Sequence, residues 1–377
     1  MVHFSATGEE THLRVAYDPQ IFLRQRAGGV SRLFTELIRE FDGDKGLGVN
    51  ALLPFSTTNN ALLTAALPER SFRTTPSWLP RGLLYAPWWV RGPRVGRHLD
   101  IVHHTYYGRR FLGAPDGSLQ VTTIYDMIPE LFSGVQGFTA SHLAKREYVR
   151  ECDLVICISE STRQDLVEVY GYQPERTVVV PLAVPSGFKP GLPRVSGLPS
   201  DYLMYVGKRK GYKDFSLLPM ALEHLRDEGL TVPIVVVGPP FDSTEQADLR
   251  KRGLDHLVRQ TPLDDQQLRR AYANATALVQ TSRYEGFGLT PLEGMASGVP
   301  VVIANSSSMP EVGGDVALYF KPGDEVSLAD ALMGALLDKE KRADLSERGL
   351  KRASHFSSRR MAERTASAYL SLLDLNR

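Results

Sequence analysis

Short apolar runs rich in β-branched residues alternate along the chain with longer stretches in which apolar positions recur every three or four residues. Alternation of strand-length and helix-length patterns is typical of parallel βαβ units. The first series of apolar runs comprises Arg14–Tyr17, Asp100–His103, Val121–Ile124, Leu154–Ile156 and Thr177–Pro181. A second series comprises Tyr202–Val206, Val232–Val237, Ala277–Gln280 and Val299–Ile303. The pattern predicts an α/β fold with two doubly wound, Rossmann-like domains.

The segment between the two series contains four prolines and three glycines from Pro185 to Pro199, which exclude a helix or a strand interior. Ligands of open α/β sheets bind beyond the carboxyl ends of the strands, so we expect the active site in a cleft between the domains. The last segment keeps helical spacing and is expected to dock back toward the N-terminal domain. The predicted boundaries are 1–185 for the N-terminal domain, 186–199 for the linker, 200–358 for the C-terminal domain and 359–377 for the last helix.

Chain length, net charge and cysteine content exclude several classes of protein. A chain of 377 residues is long enough for two cores, and 44 basic against 43 acidic residues leave a formal charge of +1, which gives no general attraction for nucleic acid. Cys152 and Cys157 lie in an apolar run, which argues against a disulfide scaffold and against a zinc site. No signal-peptide pattern and no apolar run of the ~18 residues that a membrane span needs is visible. We therefore expect a cytoplasmic protein.

The most informative stretch runs from Ala277 to Val302 and predicts a strand, a glycine-containing loop, a short helix and a second strand. Thr290 is a natural N-cap for that helix, and Gly298 would stop it. A helix start offers backbone N–H groups to a diphosphate, and glycines before it allow a close approach of the ligand. Two glutamates, Glu285 and Glu293, bracket the loop. Each also has a simpler explanation, because Glu285 fits a solvated loop and Glu293 fits a capping box with Thr290.

The stretch that begins at Ser282 reads S-R-Y-E-G-F-G-L-T-P-L-E-G-M-A-S-G-V-P-V. It resembles the donor-site signature of retaining glycosyltransferases of the GT-B fold, glycosyltransferase family four (group 1), and the resemblance extends through most of the chain. It implies that Glu285 contacts hydroxyls of the donor sugar and acts in catalysis, and that Glu293 accepts hydrogen bonds from the ribose. The loop residues that the resemblance assigns to donor binding are Gly286, Phe287, Gly288, Leu289 and Thr290. A later loop, Asn305–Glu311, matches a family segment that closes the nucleotide pocket.

A glycine followed by basic residues comes after the first strand of the second series. The resemblance places Gly207 and Arg209 among the donor-binding residues and Lys208 and Lys213 in catalysis, where cations offset the charge that develops on the leaving diphosphate. Arg209 could take the place of either lysine. A solvated basic turn explains the same residues without a ligand.

The first series contributes two loops. Gly28 and Gly29 precede a helix and resemble the family's first βα loop, near the donor phosphates or the acceptor. Many family members carry His-Asp where this chain has Tyr125 and Asp126, which the resemblance assigns to catalysis. A phenol can donate a hydrogen bond but is a poor base at neutral pH.

The resemblance implies transfer of a hexose-like sugar from a nucleoside diphosphate to a hydroxyl acceptor with retention, in bacterial polysaccharide, O-antigen or glycolipid assembly. We expect no metal, since no D-x-D pattern stands out, and no cofactor besides the nucleotide sugar. Two alternatives stay open: a phosphorylase-like or epimerase-like enzyme on the same architecture, and a nucleotide-sugar-binding protein without catalysis. Trp78, Trp88 and Trp89, interspersed with arginines, suit either a contact with a membrane at its inner face or with a lipid-linked acceptor, or burial beneath the sheet.

Overall fold

The structure is a computed structural model that describes residues 12–74, 98–108, 111–132 and 140–376, without the side chains of residues 140–143. The tryptophans for which a membrane or acceptor contact is predicted lie outside the described residues. None of the helices in the described part of the chain is long and apolar enough to cross a membrane.

The chain divides into two compact units. The first unit comprises Met1–Ala183 together with Ser358–Arg377, and the second unit comprises Val184–Ser357. Each unit is built on a six-stranded sheet in which every pairing is parallel. The predicted α/β class with two doubly wound sheets is therefore confirmed.

The sheet of the first unit has the strand order β2-β1-β3-β4-β5-β6. Its strands are β1 (Leu13–Tyr17), β2 (Val49–Leu52), β3 (Ile101–His104), β4 (Leu119–Ile124), β5 (Leu154–Cys157) and β6 (Thr177–Val179). Its helices are α1 (Gln20–Arg24), α2 (Gly29–Gly43), α3 (Ala61–Ala66), α4 (Ile128–Leu131), α5 (Ala140–Glu151) and α6 (Glu160–Tyr170).

The sheet of the second unit has the order β12-β11-β10-β7-β8-β9. Its strands are β7 (Leu203–Val206), β8 (Ile234–Val237), β9 (Val258–Gln260), β10 (Ala277–Gln280), β11 (Val301–Ala304) and β12 (Leu318–Phe320). Its helices are α7 (Leu217–Asp227), α8 (Ser243–Lys251), α9 (Asp265–Tyr272), α10 (Leu289–Ala296), α11 (Met309–Gly313), α12 (Glu325–Leu337) and α13 (Lys339–Ser354). One core of this unit joins the sheet to the apolar faces of α7 and α12.

Prolines shift two strand starts from the predicted positions. The sequence predicts strands from Val232 and from Val299, but β8 begins at Ile234 and β11 at Val301. Pro233 and Pro300 have no N–H to donate to the ladder. Their carbonyls still pair with the neighbouring strands, since Leu203 N donates to Pro233 O and Leu278 N to Pro300 O, both at 2.9 Å.

The last helix, α14 (Ser358–Leu375), belongs to the first unit and packs on α2. Its Tyr369 carries a hydroxyl that lies 2.5 Å from Nδ1 of His103 and 3.0 Å from the hydroxyl of Tyr17. Nε2 of His103 lies 2.8 Å from Oγ1 of Thr123. All four side chains are buried. A hydrogen-bonded polar network thus anchors the helix to strands that precede it by more than 200 residues.

This network predicts a pH-dependent stability. Burial, with a smaller effect of neighbouring His104, lowers the pKa of His103 to about 3. In the unfolded chain His103 takes up a proton near pH 6.5, whereas in the folded chain it does so only at about pH 3. The stability that neutral His103 gives the folded state is therefore lost as the pH falls from about 6.5 to about 3. We expect His103→Gln to reduce the loss of unfolding free energy between about pH 7 and pH 4 by up to about 3 kcal/mol.

Denaturant unfolding across that pH range is the measurement, with the exposed His256 as the matched control. His256→Gln should leave the wild-type pH dependence unchanged. Equal pH dependence in His103→Gln and in the wild type would show that His103 is not the group responsible.

Candidate functional site

The carboxyl ends of β7 and β10 lie side by side in the middle of the second sheet, where the chain order reverses. Outward from this point, the strands run β8-β9 on one side and β11-β12 on the other. The two loops that follow β7 and β10 are joined, because Thr281 Oγ1 donates to the carbonyl of Lys213 and Arg283 N donates to the carbonyl of Tyr212, both at 2.8 Å. Open α/β sheets bind ligands at such a reversal, so this edge is the expected ligand site of the second unit.

Glu285 is held at this edge by two donors. Lys213 Nζ and Gln280 Nε2 both donate to Oε1 of Glu285, the amide at 2.8 Å. The side chains of Lys213 and Glu285 are 17% and 15% exposed, and Gln280 is buried at the end of β10. The structure therefore brings together two of the residues predicted for catalysis, an ammonium and a carboxylate, in a partly desolvated position where their interaction is strong.

Two serines of the loop after β11 fix the backbone around Glu285. Glu285 N donates to Oγ of Ser307 at 2.9 Å, and the single hydroxyl proton of Ser308 is shared between the carbonyls of Glu285 and Phe287, which lie 2.8 and 2.7 Å from Oγ. Ser307 has a positive φ of 46°, which is uncommon outside glycine and costs backbone energy. The loop predicted at Asn305–Glu311 is thus part of the framework that shapes the Glu285 loop.

Helix α10 begins at Leu289, two residues before the Pro291 start that a Thr290 cap would give, so the prediction of that cap is wrong. The N-cap is Gly288, and no side chain makes a capping hydrogen bond. Thr290 lies inside the first turn, after Leu289, and Glu293 therefore does not serve a capping box. The start of α10 presents its backbone N–H groups at the same edge as Glu285. The predicted stop is confirmed, since the helix ends before Gly298, which has a φ of 75°.

Gly288 has a conformation that only glycine adopts readily, with φ 111° and ψ 49°. A Cβ at Gly288 would also lie 3.4 Å from the sulfur of Met309. We expect Gly288→Ala to lower the free energy of unfolding by about 1–2 kcal/mol. Thermal unfolding measures this change. The control is Gly43→Ala, in open space with an ordinary φ, where alanine should be neutral or stabilising; equal midpoints for the two variants would contradict the assignment of strain.

Glu293 lies on α10, whereas Glu285 lies in the loop before that helix, and Glu293 is half-buried. Its Oε2 accepts a hydrogen bond of 2.8 Å from the hydroxyl of Tyr272, at the end of α9. The carboxylate is thus oriented by a residue from a different helix.

The basic loop after β7 separates into residues with different partners. Arg209 is buried and donates two hydrogen bonds to Glu245, at 2.7 and 2.9 Å, and one each to the carbonyls of Pro239 and Pro240. Its guanidinium also lies 4.4 Å from the ring centre of Phe241. These contacts give Arg209 a structural role, and its hydrogen bond to Glu245 lowers the pKa of that carboxyl.

The lysines of this loop differ in exposure. Lys213 is paired with Glu285, Lys210 with Asp242, and Lys208 is exposed at the carboxyl end of β7. Gly207, with φ 132°, turns the chain out of the strand. The loop therefore exposes Lys208 at the ligand edge, while the buried contacts of Arg209 fix the loop to the rest of the second unit.

Gly28 and Gly29 lie in the first unit where α2 begins, after β1 and the short helix α1. Gly28 is the N-cap of α2 and Gly29 its first residue. The side chain of Gln25 folds over this turn, where its Oε1 accepts from Ser31 N at 3.1 Å. A Cβ on Gly28 would lie 2.5 Å from that Oε1, so the glycine permits the approach of Gln25.

Tyr125 and Asp126 follow β4 in the first unit. The Tyr125 hydroxyl is buried and donates to the carbonyl of Thr105 at 2.7 Å. Burial and the neighbouring Tyr106 raise the pKa of Tyr125 well above its usual value of 10. Tyr125 therefore stays protonated at neutral pH and cannot act as a base. Asp126 is half-buried, and its Oδ1 accepts from Ile128 N at 3.1 Å.

Three residues that contact the predicted site residues were assigned no role from the sequence: Gln280, Tyr272 and Glu245. Ser307 and Ser308 lie in the loop predicted at Asn305–Glu311, although their contacts with the Glu285 loop were not predicted. Gln280 had a signal, because a glutamine that ends an otherwise apolar strand is a buried polar group in need of a partner. Tyr272 and Glu245 gave no such signal, since they belong to separate helices that only the fold brings to the site.

Two family descriptions match adjacent parts of the chain. Residues 194–352 match "Glycosyl transferases group 1", and residues 27–187 match "Glycosyltransferase Family 4". Among proteins of known role, O-antigen chain mannosyltransferase B of Escherichia coli is 28% identical over 294 residues, covering 72% of this chain and 75% of that protein. MMP alpha-(1->4)-mannosyltransferase of Mycolicibacterium hassiacum is 28% identical over 232 residues, covering 60% of this chain and 56% of that protein.

Solved structures share the fold at lower identity. Sucrose-phosphate synthase from Thermosynechococcus elongatus superimposes with a TM-score of 0.71 at 18% identity, over 97% of this chain and 100% of that one. Anabaena Alr3699/HepE, solved in complex with UDP and glucose, gives a TM-score of 0.67 at 17% identity, over 96% and 100% of the two chains.

Two parallel sheets, each in its own unit, are the GT-B fold that these solved structures share. The chain belongs to the group 1 glycosyltransferases, with a family 4 domain in its N-terminal half and the group 1 domain in its C-terminal half. The family prediction made from the sequence is confirmed.

Proposed function

We propose that this glycosyltransferase moves a hexose-like sugar from a nucleoside diphosphate to a hydroxyl acceptor, with retention and without a metal ion. The donor site is the reversal edge of the second sheet. The observation that carries the proposal is the meeting of Lys213, Glu285 and Gln280 there, because it joins residues from two separate loops in one charged cluster. The E. coli relative named as an O-antigen chain mannosyltransferase supports a hexose donor and a role in polysaccharide or glycolipid assembly.

Each residue has a specific part in the proposed reaction. Lys213 and Gln280 already donate to Oε1 of Glu285, so we assign Oε2 to hydroxyls of the donor sugar. Glu293 accepts from the ribose, and the start of α10 faces the diphosphate. Lys208 and Lys213 offset the negative charge that grows on the diphosphate as the sugar leaves.

The proposed chemistry needs no base from the protein. The acceptor oxygen bonds to C1 of the sugar on the face from which the diphosphate departs, the bond between C1 and the phosphate oxygen breaks, and the acceptor proton passes to that phosphate oxygen. The raised pKa of Tyr125 is consistent with this route, since a protonated phenol can donate a hydrogen bond but cannot take the proton.

The first test is thermal unfolding with a panel of UDP-, GDP- and dTDP-linked sugars, with and without EDTA, on the wild type and on Glu293→Ala. A donor at a hundred times its dissociation constant should stabilise the protein by about 2.7 kcal/mol, a shift of about 2–4 °C. We expect one donor class to shift the wild type and to shift Glu293→Ala much less.

Product analysis completes the test. Retention requires that the anomeric configuration of the product, read by NMR, match that of the donor. A wild type that no donor shifts would overturn the donor site, binding without product would favour the non-catalytic alternative, and a shift that EDTA abolishes would overturn metal independence.

A further inference from the structure

Tyr272 connects two helices of the second unit through its hydroxyl. The side chain is completely buried, and its hydroxyl donates to Oε2 of Glu293 at 2.8 Å. The ring is held in turn by Phe188, edge-on at 5.2 Å between ring centres and 84° between planes.

A glutamate that must bind a ligand gains from such a contact. A free glutamate side chain samples many rotamers, and ordering it at the moment of binding reduces affinity. A hydrogen bond from a rigid donor orders the carboxylate beforehand and occupies one oxygen, while the other can accept from the ligand. Burial and the nearby Glu293 raise the pKa of Tyr272 well above its usual value, so the hydroxyl remains a donor at all working pH values.

We propose that Tyr272 is a positioning residue that fixes Glu293 so that its second oxygen, Oε1, accepts from ribose hydroxyls, and that this makes the site selective for ribonucleoside over 2′-deoxyribonucleoside diphosphates. The inference rests on the proposed function for the assignment of Glu293 to ribose. Tyr272 itself acts through Glu293 and does not contact the ligand. It follows that the donor is a UDP- or GDP-linked sugar in preference to a dTDP-linked one.

The test measures dissociation constants by calorimetry for UDP, GDP and their 2′-deoxy counterparts, on the wild type and on Tyr272→Phe. For whichever base binds, the wild type should favour the ribonucleotide about tenfold or more, as expected for a hydrogen bond to a charged group. Tyr272→Phe keeps the buried ring and should weaken ribonucleotide binding about tenfold, with little change for the 2′-deoxy form. The ribose preference should therefore nearly disappear.

The matched control is Tyr202→Phe. Tyr202 is also buried in the second unit, and its hydroxyl donates to the carbonyl of Ala271, next to Tyr272, at 2.6 Å. Loss of the Tyr202 hydroxyl removes a buried hydrogen bond from the same end of α9 but leaves the contact between Tyr272 and Glu293 intact. The preference for ribonucleotides should therefore persist in Tyr202→Phe. Loss of the preference in both variants would show that general loosening of this region, and not positioning, is responsible.

A double-mutant cycle with Glu293→Gln separates direct from indirect action. If Tyr272 works through Glu293, Tyr272→Phe should change ribonucleotide affinity about tenfold in the wild type and less than about twofold in Glu293→Gln. Equal effects in the two backgrounds, or a wild-type preference that survives in Tyr272→Phe, would overturn the inference. A wild type that binds no nucleoside diphosphate would instead overturn the proposed function, so the two failures are distinguishable.

Discussion

Glu285→Gln is expected to lower kcat/KM for sugar transfer about 100-fold, the largest effect of any single substitution at the site. The carboxylate is held by Lys213 and Gln280 and is proposed to accept hydrogen bonds from sugar hydroxyls. Each hydrogen bond to a charged group contributes about 1.5–3 kcal/mol, so the loss of charge at this one residue accounts for an effect of that size. Initial rates with the donor identified by thermal unfolding give the measurement.

The control for Glu285→Gln is Glu347→Gln, an exposed glutamate on α13 in the same unit. It removes the same charge away from the ligand edge and should leave kcat/KM within about twofold of the wild type, as is usual for surface substitutions. If Glu285→Gln transfers sugar as fast as Glu347→Gln does, the carboxylate has no part in the reaction. An unfolding midpoint of Glu285→Gln close to that of the wild type would show that its loss of activity does not come from misfolding.

Arg209→Ala is expected to lower the free energy of unfolding by about 3 kcal/mol. The Arg209 side chain is only 4% exposed and its partner Glu245 only 18%. Removal of one partner from a buried ion pair leaves an uncompensated charge, which typically costs about 3–5 kcal/mol. Glu245 still accepts a hydrogen bond of 2.9 Å from Asp242 N in this variant. We therefore expect a loss of unfolding free energy at the lower end of that range. Denaturant unfolding measures the change.

Lys210→Ala is the matched control, because Lys210 lies next to Arg209 but its side chain is 76% exposed. Its pairing with Asp242 is screened by water, so the unfolding midpoint should not change measurably. The comparison also tests the sequence-based prediction that Arg209 binds the donor. An Arg209→Ala variant with unchanged stability but without nucleoside diphosphate binding would favour that prediction over a structural role.

The strands that the sequence did not predict are β2, β9 and β12, and all three lie at sheet edges. The interior strands were predicted because they are buried on both faces and form continuous apolar runs, as in β5 and β10. An edge strand of three or four residues, such as Val258–Gln260, has one buried residue and no periodicity to detect. The pairing that makes it a strand comes from β8, on the other side of helix α8 in the sequence.

In the candidate site, too, residues of one continuous stretch were easier to assign from the sequence than residues that the fold brings together. The loop from Glu285 to Leu289 was assigned to the donor site from its resemblance to a family signature, and its glycines permit a close turn of the backbone. The contacts that orient Glu285 and Glu293 could not be predicted, because Tyr272 reaches Glu293 from α9 and Ser307 reaches Glu285 from the loop after β11. The burial of Arg209 and its ion pair with Glu245 could not be predicted either, since nothing in the basic loop indicates which acid it contacts. Those contacts are set by sheet order, which one-dimensional patterns do not encode.

The return of α14 to the first unit has a consequence for how the protein is made. A ribosome releases the whole second unit, Val184–Ser357, before it releases the helix that carries Tyr369. Until then, the buried nitrogen of His103 has no Tyr369 hydroxyl to meet, and the surface of α2 that α14 covers stays open to water. The C-terminal half can therefore mature first, while the N-terminal half, although synthesised earlier, finishes last. Chains that end at Ser357 and are released from the ribosome should consequently protect the second unit from protease while the first unit remains sensitive.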